Sequence, residues 1–367
     1  MTQSEIKLLI EQFLARSGSD LYISTGAKPT MRIGGGFTAL DETPLTQEAV
    51  QSAIDALLSE NDRATFTRDL ELNTAIDWGK EARLRINCFM QQQKPGLVIR
   101  RISNRVPELE QLKLPPIYGQ LALEKRGLII IAGPAHSGKS TTFAALIGER
   151  NKNGHGHIVT IEDPIELIHA SRNCIVTQRE VGIDTRSLAS GLANAVRQSP
   201  DMIAIGELRD SAAAIEAVNL AEMGHLVLTT FTAGSVVQAV EQLLLFFPEE
   251  AQGAARARLA QALRAVLVQK LVPGPRGKLV PISEVLINEG LSRAMIREGN
   301  IRGLRESMEK GGAEGQQSFD QSLAALVARG DITEEVALSE AENASALRMR
   351  LRTPGGQQAP ALKPSAF

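Results

Sequence analysis

A nine-residue segment near the middle of the chain restricts the fold more than any other feature of the sequence. The segment reads Gly133-Pro134-Ala135-His136-Ser137-Gly138-Lys139-Ser140-Thr141. Two glycines separated by four residues and followed by Lys and Ser form the P-loop pattern. An apolar run at 128–131 precedes the segment, and a stretch with helical character at 141–150 follows it. Because the motif requires this order of strand, loop and helix, we predict an α/β nucleotide-binding domain rather than a chance match in a glycine-rich loop.

The residue types in this segment suit the binding of phosphate groups. Glycines let backbone amides approach a phosphate closely, and the N-terminus of the following helix is electrostatically positive. Lys139 is expected to reach the β- and γ-phosphates of ATP, and Ser140 is expected to hold the accompanying Mg²⁺ ion. ATP and Mg²⁺ are therefore the predicted substrate and cofactor, and residues 133–141 are the predicted binding segment.

Acidic residues end two further predicted strands. The apolar run at 158–161 is followed by Glu162, and the run at 202–205 is followed by Gly206 and Glu207. Because the carboxyl ends of parallel strands meet at one edge of a sheet, we expect both carboxylates near the nucleotide. Phosphoryl transfer to water needs a group that orients the water and an acid that completes the Mg²⁺ shell, and Glu162 and Glu207 are the candidates. The alternative is that strand ends are acidic because they are solvated.

The length of 367 residues is enough for two domains. Residues 1–103 contain short strands broken by turns and one helical stretch at 46–66, which predicts a small α+β domain. A segment with three prolines, 104–116, is the predicted linker. Residues 117–352 alternate buried strands with helices and become helical after residue 286, which predicts a largely parallel α/β domain with a helical C-terminal part. The end of the chain, 353–367, is predicted to be disordered.

Charge and composition exclude several classes of protein. Lys plus Arg number 40 against 42 for Asp plus Glu, and the aromatic residues are 1 Trp, 2 Tyr and 10 Phe. A nucleic-acid partner is therefore not expected, because it needs a basic surface and stacking aromatics. The 2 cysteines cannot form a disulfide framework or a tetracysteine zinc module, which fits a reducing cytoplasm. No run approaches the ~18 apolar residues of a membrane span, so we expect membrane association only through partners.

Arginines on the predicted strands of the first domain are candidates for a shared site. Arg83 and Arg85 alternate along one strand and share a face, and Arg100 lies on another strand. Such residues are ordinarily solvated, but arginine also binds phosphate across a domain or subunit boundary. A site that takes cations from a neighbouring subunit predicts assembly into a ring.

These motifs together resemble those of the type IV pilus retraction ATPases, the PilT and PilU group of the secretion ATPase superfamily. The family's Walker A motif resembles residues 133–141, its Asp box resembles residues 160–166, and its atypical Walker B motif resembles residues 201–207. Its His box is similar to the segment that begins at Gly224-His225-Leu226, and the segment 174–185 is more similar to PilU than to PilT.

The resemblance implies a PAS-like N-terminal domain, a RecA-like ATPase domain and a homohexameric ring with ATP between neighbours. It implies catalytic roles for His225 and Arg209 beside Glu162 and Glu207. The implied function is ATP hydrolysis that powers pilus retraction in twitching motility. The implied partners are a PilT-like ATPase and an inner-membrane pilus platform protein, which would hold this cytoplasmic protein at the inner face of the membrane.

Three positions depart from the family's pattern. His136 stands where the family has Gly, Thr232 where the His box has its second His, and Gln242 where the family has Arg. Because these changes remove backbone freedom or groups that stabilise negative charge, we predict slow hydrolysis and dependence on a partner ATPase. An ATP-binding but nearly inactive adaptor ring is the alternative, and a RecA-like nucleic-acid motor is a further one.

Overall fold

Two compact units form the part of the chain that the structure describes. The computed structural model describes residues 2–34, 36–79, 82–103, 105–310 and 312–352. The first unit contains the chain up to Arg105 and the short segment Ile165–Ile168, and the second contains Val106–Pro164 and the chain from His169 onward. The tail predicted to be disordered, 353–367, lies outside the described residues.

The first unit is an α+β domain built on one antiparallel sheet. Its helices and strands are α1 (Gln3–Ala15), β1 (Asp20–Ser24), β2 (Thr30–Ile33), β3 (Gly36–Ala39), α2 (Gln47–Leu57), α3 (Glu60–Asp69), β4 (Glu71–Trp78), β5 (Ala82–Gln91) and β6 (Lys94–Ile102). The strands lie in the order β3-β2-β1-β6-β5-β4, and every neighbouring pair is antiparallel. Buried and half-buried residues alternate along β5, so one face of the sheet packs into a core that also buries Ile6, Ile10 and Phe13 of α1.

The helix predicted at 46–66 is two helices in the structure, and the prediction of one helix was wrong. α2 ends at Leu57 and α3 begins at Glu60, because Ser59 has an extended backbone and its side chain accepts a hydrogen bond from the Asp62 backbone N–H. A serine in this position satisfies one of the free N–H groups that start a helix, so it begins a new helix.

The second unit carries a mixed sheet covered by helices. Its elements are α4 (Ile117–Ala122), β7 (Gly127–Ala132), α5 (Lys139–Asn153), β8 (Gly156–Glu162), β9 (Cys174–Glu180), α6 (Leu188–Ala195), β10 (Met202–Glu207), α7 (Ser211–Glu222), β11 (Leu226–Phe231), α8 (Val236–Leu245), α9 (Gln252–Ala262), β12 (Leu263–Pro273), β13 (Leu279–Ile287), α10 (Gly290–Glu298), α11 (Leu304–Glu309), α12 (Phe319–Ala328), α13 (Glu334–Glu340) and α14 (Ala344–Arg352). Among the described residues, no helix is both long enough and apolar enough to cross a bilayer.

Parallel pairing brings the P-loop, Glu162 and Glu207 to one edge of this sheet. The strand order is β13-β12-β7-β11-β10-β8-β9, and only the β12–β13 pair is antiparallel. The strands predicted from the apolar runs at 128–131, 158–161 and 202–205 are confirmed as β7, β8 and β10, and the apolar run at 226–228 forms β11; the residues of all four are mostly buried on both faces. The helices expected after residue 286 are confirmed as α10 to α14. The strands β9, β12 and β13 were not predicted.

Candidate nucleotide site

The P-loop connects β7 to α5 at the carboxyl edge of the sheet. α5 begins at Lys139, and Gly138 is its N-cap residue with a left-handed backbone at φ +87°. A β-carbon at Gly138 would lie 2.7 Å from Nε2 of Gln269, and one at Gly133 would lie 2.3 Å from the backbone oxygen of Gln269. Side chains are therefore excluded at both positions, and the backbone of the loop packs directly on β12.

Lys139 and Ser137 give the loop the character of an anion site. Nζ of Lys139 donates hydrogen bonds to the carbonyl oxygens of Gly133 and Pro134, each at 2.8 Å, so the ammonium group lies against the loop. Ser137 is 3% exposed, and its buried hydroxyl has no hydrogen-bond partner in the described part of the chain. The first turn of α5 adds backbone donors and the positive end of a helix dipole. These groups fit the phosphates of a nucleotide.

Glu162 lies at the end of β8 and is 7% exposed. Its Oε1 accepts hydrogen bonds from Oγ1 of Thr160 at 2.7 Å and from Nε2 of Gln178 at 3.0 Å. Thr160 and Gln178 are paired residues of β8 and β9, so their side chains share a face and both reach the carboxylate. The Gln178 Oε1 accepts a further hydrogen bond from the His169 backbone N–H at 2.7 Å, which fixes the orientation of its amide. Gln178 was missed by the sequence analysis, which did not recognise β9.

Glu207 lies at the end of β10 and belongs to a network of charged and polar side chains. Its Oε1 accepts a hydrogen bond from Oγ1 of Thr232 at 2.6 Å, and its Oε2 accepts one from Nε of Arg209 at 2.9 Å. Nη1 of Arg209 lies 3.9 Å from Oδ2 of Asp163, which directly follows β8. The structure therefore brings the ends of β8, β10 and β11 together, as expected for Glu207 and Arg209.

The environment of Glu207 keeps its carboxylate ionised. Burial raises the pKa of Glu207, but the hydrogen bonds from Thr232 and Arg209 and the positive charges of Arg209 and Lys139 lower it more, so the pKa lies below its usual value. Thr230 of β11 pairs with Glu207 on one side and with Ile131 of β7, two residues before Gly133, on the other. The P-loop and the end of β10 thus form one site.

His225 lies at the opposite edge of the same sheet. It directly precedes β11, and its Nδ1 is 3.0 Å from the Pro200 carbonyl oxygen. Leu226 pairs with Met202, five residues before Glu207. At ~3.3 Å per residue, His225 lies roughly 16 Å or more from Glu207 along the strands. The structure does not bring His225 to the P-loop, and the catalytic role implied for it has no geometric support.

The arginines of the first unit have partners within that unit. Nη2 of Arg85 donates a hydrogen bond to the Ile165 carbonyl oxygen at 2.7 Å. Nη1 of Arg83 lies 3.5 Å from Oδ1 of Asp77. Arg100, which is paired with Arg85 across β5 and β6, has a separate partner: its Nε lies 2.7 Å from Oδ1 of the buried Asp20. Arg83 and Arg85 are both half-buried on one face of β5, as their spacing predicts. Their role in a shared site stays a prediction.

Comparison with known proteins places the chain in a family. The family model for Type II/IV secretion system proteins matches residues 43–338. The type IV pilus ATPase PilU of Pseudomonas aeruginosa is 42% identical over 349 residues, which cover 95% of this chain and 91% of PilU. The chain belongs to the type II/IV secretion system protein family.

Two further relatives of this secretion ATPase agree in sequence and in fold. The retraction ATPase PilT of Pseudomonas aeruginosa is 35% identical over 331 residues, which cover 90% of this chain and 96% of PilT. The crystal structure of the pilus retraction motor PilT with bound ADP has a TM-score of 0.85 at 32% identity and covers 93% of this chain and 98% of that chain. The predicted class, an α+β domain followed by a RecA-like P-loop ATPase domain, is confirmed, and the protein is a P-loop ATPase of the PilT and PilU group.

The three departures from the family's pattern have different local consequences. His136 is exposed in the P-loop and has a left-handed backbone at φ +62°, a conformation that glycine adopts more easily. Thr232 retains a hydrogen-bond donor, which it directs to Glu207. Gln242 is a half-buried residue of α8 and carries no charge. The structure thus shows one strained position, one substituted donor and one missing cation.

Proposed function

We propose that this secretion ATPase powers type IV pilus retraction in twitching motility and acts as an accessory motor. The observation that carries the proposal is that strand pairing puts the P-loop and Glu207, with its partner Arg209, at one edge of the sheet. The identity of 42% to a type IV pilus ATPase supports the cellular role. The accessory role is inferred from the three departures from the family's pattern.

In the proposed mechanism the P-loop binds the phosphates of ATP, and the carboxylates at the ends of β8 and β10 orient the attacking water and complete the site. The amides of residues 133–141 and the ammonium group of Lys139 bind the phosphates of ATP. Ser140 would hold Mg²⁺, and the bound ion would supply positive charge to the transferred phosphoryl group. Glu207 is ionised and orients the attacking water, while Glu162 is the second acid. In the described ranges, no group of three or more His, Cys, Asp or Glu side chains is placed to hold a metal ion.

We expect the three departures to lower the rate of ATP hydrolysis more than they lower the affinity for nucleotide. His136, Thr232 and Gln242 alter the surroundings of the reacting phosphate, and loss of one charge-stabilising donor costs ~10²-fold or more in rate. Lys139, Ser140 and the N-terminus of α5 are unchanged, so the phosphates keep their main contacts. Turnover in the cell then depends on a PilT-like partner ATPase.

Calorimetry with ADP and Mg²⁺ tests the nucleotide site. The unmodified protein is expected to bind, and Lys139→Ala is expected to lose measurable binding because it removes the ammonium group from the loop. Arg186→Ala is a matched control, because it removes one cation from an exposed position outside the P-loop. Equal and undetectable affinity in the unmodified protein and in Lys139→Ala would refute the assignment.

Phosphate release tests the weakened hydrolysis. The purified protein is compared with a triple variant that carries His136→Gly, Thr232→His and Gln242→Arg. We expect slow release by the unmodified protein and faster release by the variant. Turnover at ~1 s⁻¹ or faster by the unmodified protein, with no gain in the variant, would contradict the proposal.

We also propose that the protein assembles into a ring of six copies at the cytoplasmic face of the inner membrane. A pilus platform protein holds the ring there, and arginines such as Arg83, Arg85 and Arg100 contribute to a neighbour's site. Light scattering with Mg²⁺ and ATP is expected to give a mass near six subunits. A monomer under every nucleotide condition would rule out the shared site.

The second candidate function is an adaptor ring that binds ATP and barely hydrolyses it. The missing cation at Gln242 favours it, because loss of a charge-stabilising group slows turnover, while the phosphate contacts of Lys139, Ser140 and the N-terminus of α5 are unchanged. Phosphate release distinguishes the adaptor from the accessory motor. An adaptor binds ADP and ATP but releases no phosphate above background, and it stimulates a PilT-like ATPase when the two are mixed.

A further inference from the structure

A buried glutamine from β12 contacts the P-loop from outside the motif. Gln269 is 3% exposed and lies in an otherwise mostly apolar strand. Its Nε2 donates a hydrogen bond to the Ser137 carbonyl oxygen at 2.7 Å, and its Oε1 accepts one from Oγ1 of Thr142 at 2.7 Å. The side-chain amide of Gln269 therefore joins the loop to the first turns of α5.

The position of Gln269 follows from strand pairing. β12 is parallel to β7, and Val268 pairs with Ala132, the last residue of β7. Gln269 is thus level with Gly133, the first residue of the loop. The backbone oxygen of Gln269 would lie 2.3 Å from a β-carbon at Gly133, and its Nε2 would lie 2.7 Å from one at Gly138. Both glycines of the motif therefore pack directly against Gln269.

The hydrogen bond to Ser137 constrains a backbone donor. The Ser137 carbonyl and the Gly138 N–H belong to one peptide group, which is planar and trans, so they point in opposite directions. A donor that holds the carbonyl toward β12 therefore turns the N–H away from β12. Backbone N–H groups in a P-loop are the donors that bind phosphate. Fixing this peptide before nucleotide arrives reduces the conformational entropy that binding must remove.

We propose that Gln269 is a positioning residue that orients the Ser137–Gly138 peptide for nucleotide phosphate. The proposal rests on the proposed nucleotide site and adds a residue from the β12–β13 pair to it. Thr142 holds the other end of the same amide, so the nitrogen of Gln269 faces Ser137 and the oxygen faces α5. The effect is on the loop and does not require contact between Gln269 and the nucleotide.

Calorimetry with ADP and Mg²⁺ on four proteins tests the role. Gln269→Met keeps the length and burial of the side chain and removes both hydrogen bonds. Thr142→Val removes the bond to α5 and leaves the donor to Ser137. Val266→Ala is the structural control, because Val266 is a fully buried residue of the same strand that packs in a different cluster from the buried residues of α5. Melting temperatures are measured beside each affinity.

We expect Gln269→Met to raise the dissociation constant at least ~10-fold, in line with loss of a buried hydrogen bond. Thr142→Val is expected to raise it less, and Val266→Ala is expected to lower the melting temperature with little change in affinity. An unchanged affinity in Gln269→Met, or a loss that Val266→Ala reproduces at the same loss of melting temperature, would overturn the proposal. Absence of binding by the unmodified protein would instead overturn the nucleotide site itself, and this proposal with it.

Gln269→Leu provides a second test if the methionine variant folds poorly. Leucine is apolar, so it neither donates to the Ser137 carbonyl nor accepts from Thr142, and it adds no charge beside the phosphates. It is therefore expected to raise the dissociation constant as Gln269→Met does. An affinity equal to that of the unmodified protein would show that the donor to Ser137 is unimportant.

Discussion

Replacing Glu284 with glutamine is expected to stabilise the protein at alkaline pH and to have little effect near pH 5. Glu284 lies on β13 and is 2% exposed, and its Oε2 accepts a hydrogen bond from the Val236 backbone N–H at 2.7 Å. The pKa of Glu284 is raised to about 7, mainly by burial and also by the charge of Glu342. The hydrogen bond from the Val236 N–H and the charges of Arg305 and Lys270 oppose this rise. The Glu284 carboxyl group thus accepts a hydrogen bond from the first residue of α8, but its burial makes ionisation unfavourable.

The sign follows from proton binding in the two states. The unfolded carboxyl ionises near its ordinary pKa of 4.5, whereas the folded carboxyl keeps its proton up to about pH 7. Between these values the folded state binds more protons, so the free energy of unfolding falls as pH rises. At about 1.4 kcal/mol per pKa unit, the loss is complete above pH 7 and amounts to roughly 3 kcal/mol. Glutamine accepts the same hydrogen bond and carries no charge, so it avoids this loss.

Urea unfolding at pH 5 and pH 8.5 measures the effect. The gain of Glu284→Gln over the unmodified protein is expected to grow from under about 1 kcal/mol to roughly 3 kcal/mol between these values. Glu250→Gln removes the same charge at an exposed position and is expected to give no such trend. A gain that is equal at both pH values would refute the reasoning, because it would show that the charge of Glu284 does not limit stability.

Three other single changes have defined outcomes. His136→Gly is expected to stabilise the nucleotide-free protein by about 1 kcal/mol, because φ is +62° there, and a lower melting temperature would contradict this. Gly133→Ala is expected to abolish ADP binding in calorimetry, whereas Gly182→Ala, which has no atom within 4 Å of the new β-carbon, is expected to keep it. Cys88 is expected to resist iodoacetamide until denaturant is added, since burial raises the pKa of its thiol to about 12. Rapid labelling of Cys88 in the native protein would disprove that.

Local sequence was sufficient for the central part of the site. The P-loop is a contiguous motif whose glycines, lysine and following helix act on neighbouring backbone, so its position on β7 and α5 could be predicted. Glu162 and Glu207 could be predicted because each ends a short apolar run, and parallel strands place such ends at one edge. The same rule explains His225, which precedes its strand and therefore lies at the other edge.

Contacts between distant segments were beyond prediction from the sequence. Gln178 reaches Glu162 only because β9 pairs with β8, and Gln269 reaches Ser137 only because β12 lies beside β7. Sequence patterns do not specify which strands become neighbours in a sheet. A signal existed in the second case, since Gln269 interrupts an apolar strand, where a polar side chain usually has a buried partner. The split of the helix at Ser59 had a local signal as well, which the longer helical pattern obscured.

The contacts of Glu207 show that the departures at Thr232 and Gln242 are not equivalent. A threonine in place of histidine is a loss of a titratable group, but it is not a loss of a donor, because the Thr232 hydroxyl bonds Oε1 of Glu207 at 2.6 Å. This bond and the one from Arg209 hold the carboxylate in its ionised form, which is the form that orients water. Arg209 is paired with Glu207 and lies 3.9 Å from Asp163, so its charge is already neutralised by these carboxylates. The proposed slowing of hydrolysis is therefore attributed first to the missing charge at Gln242.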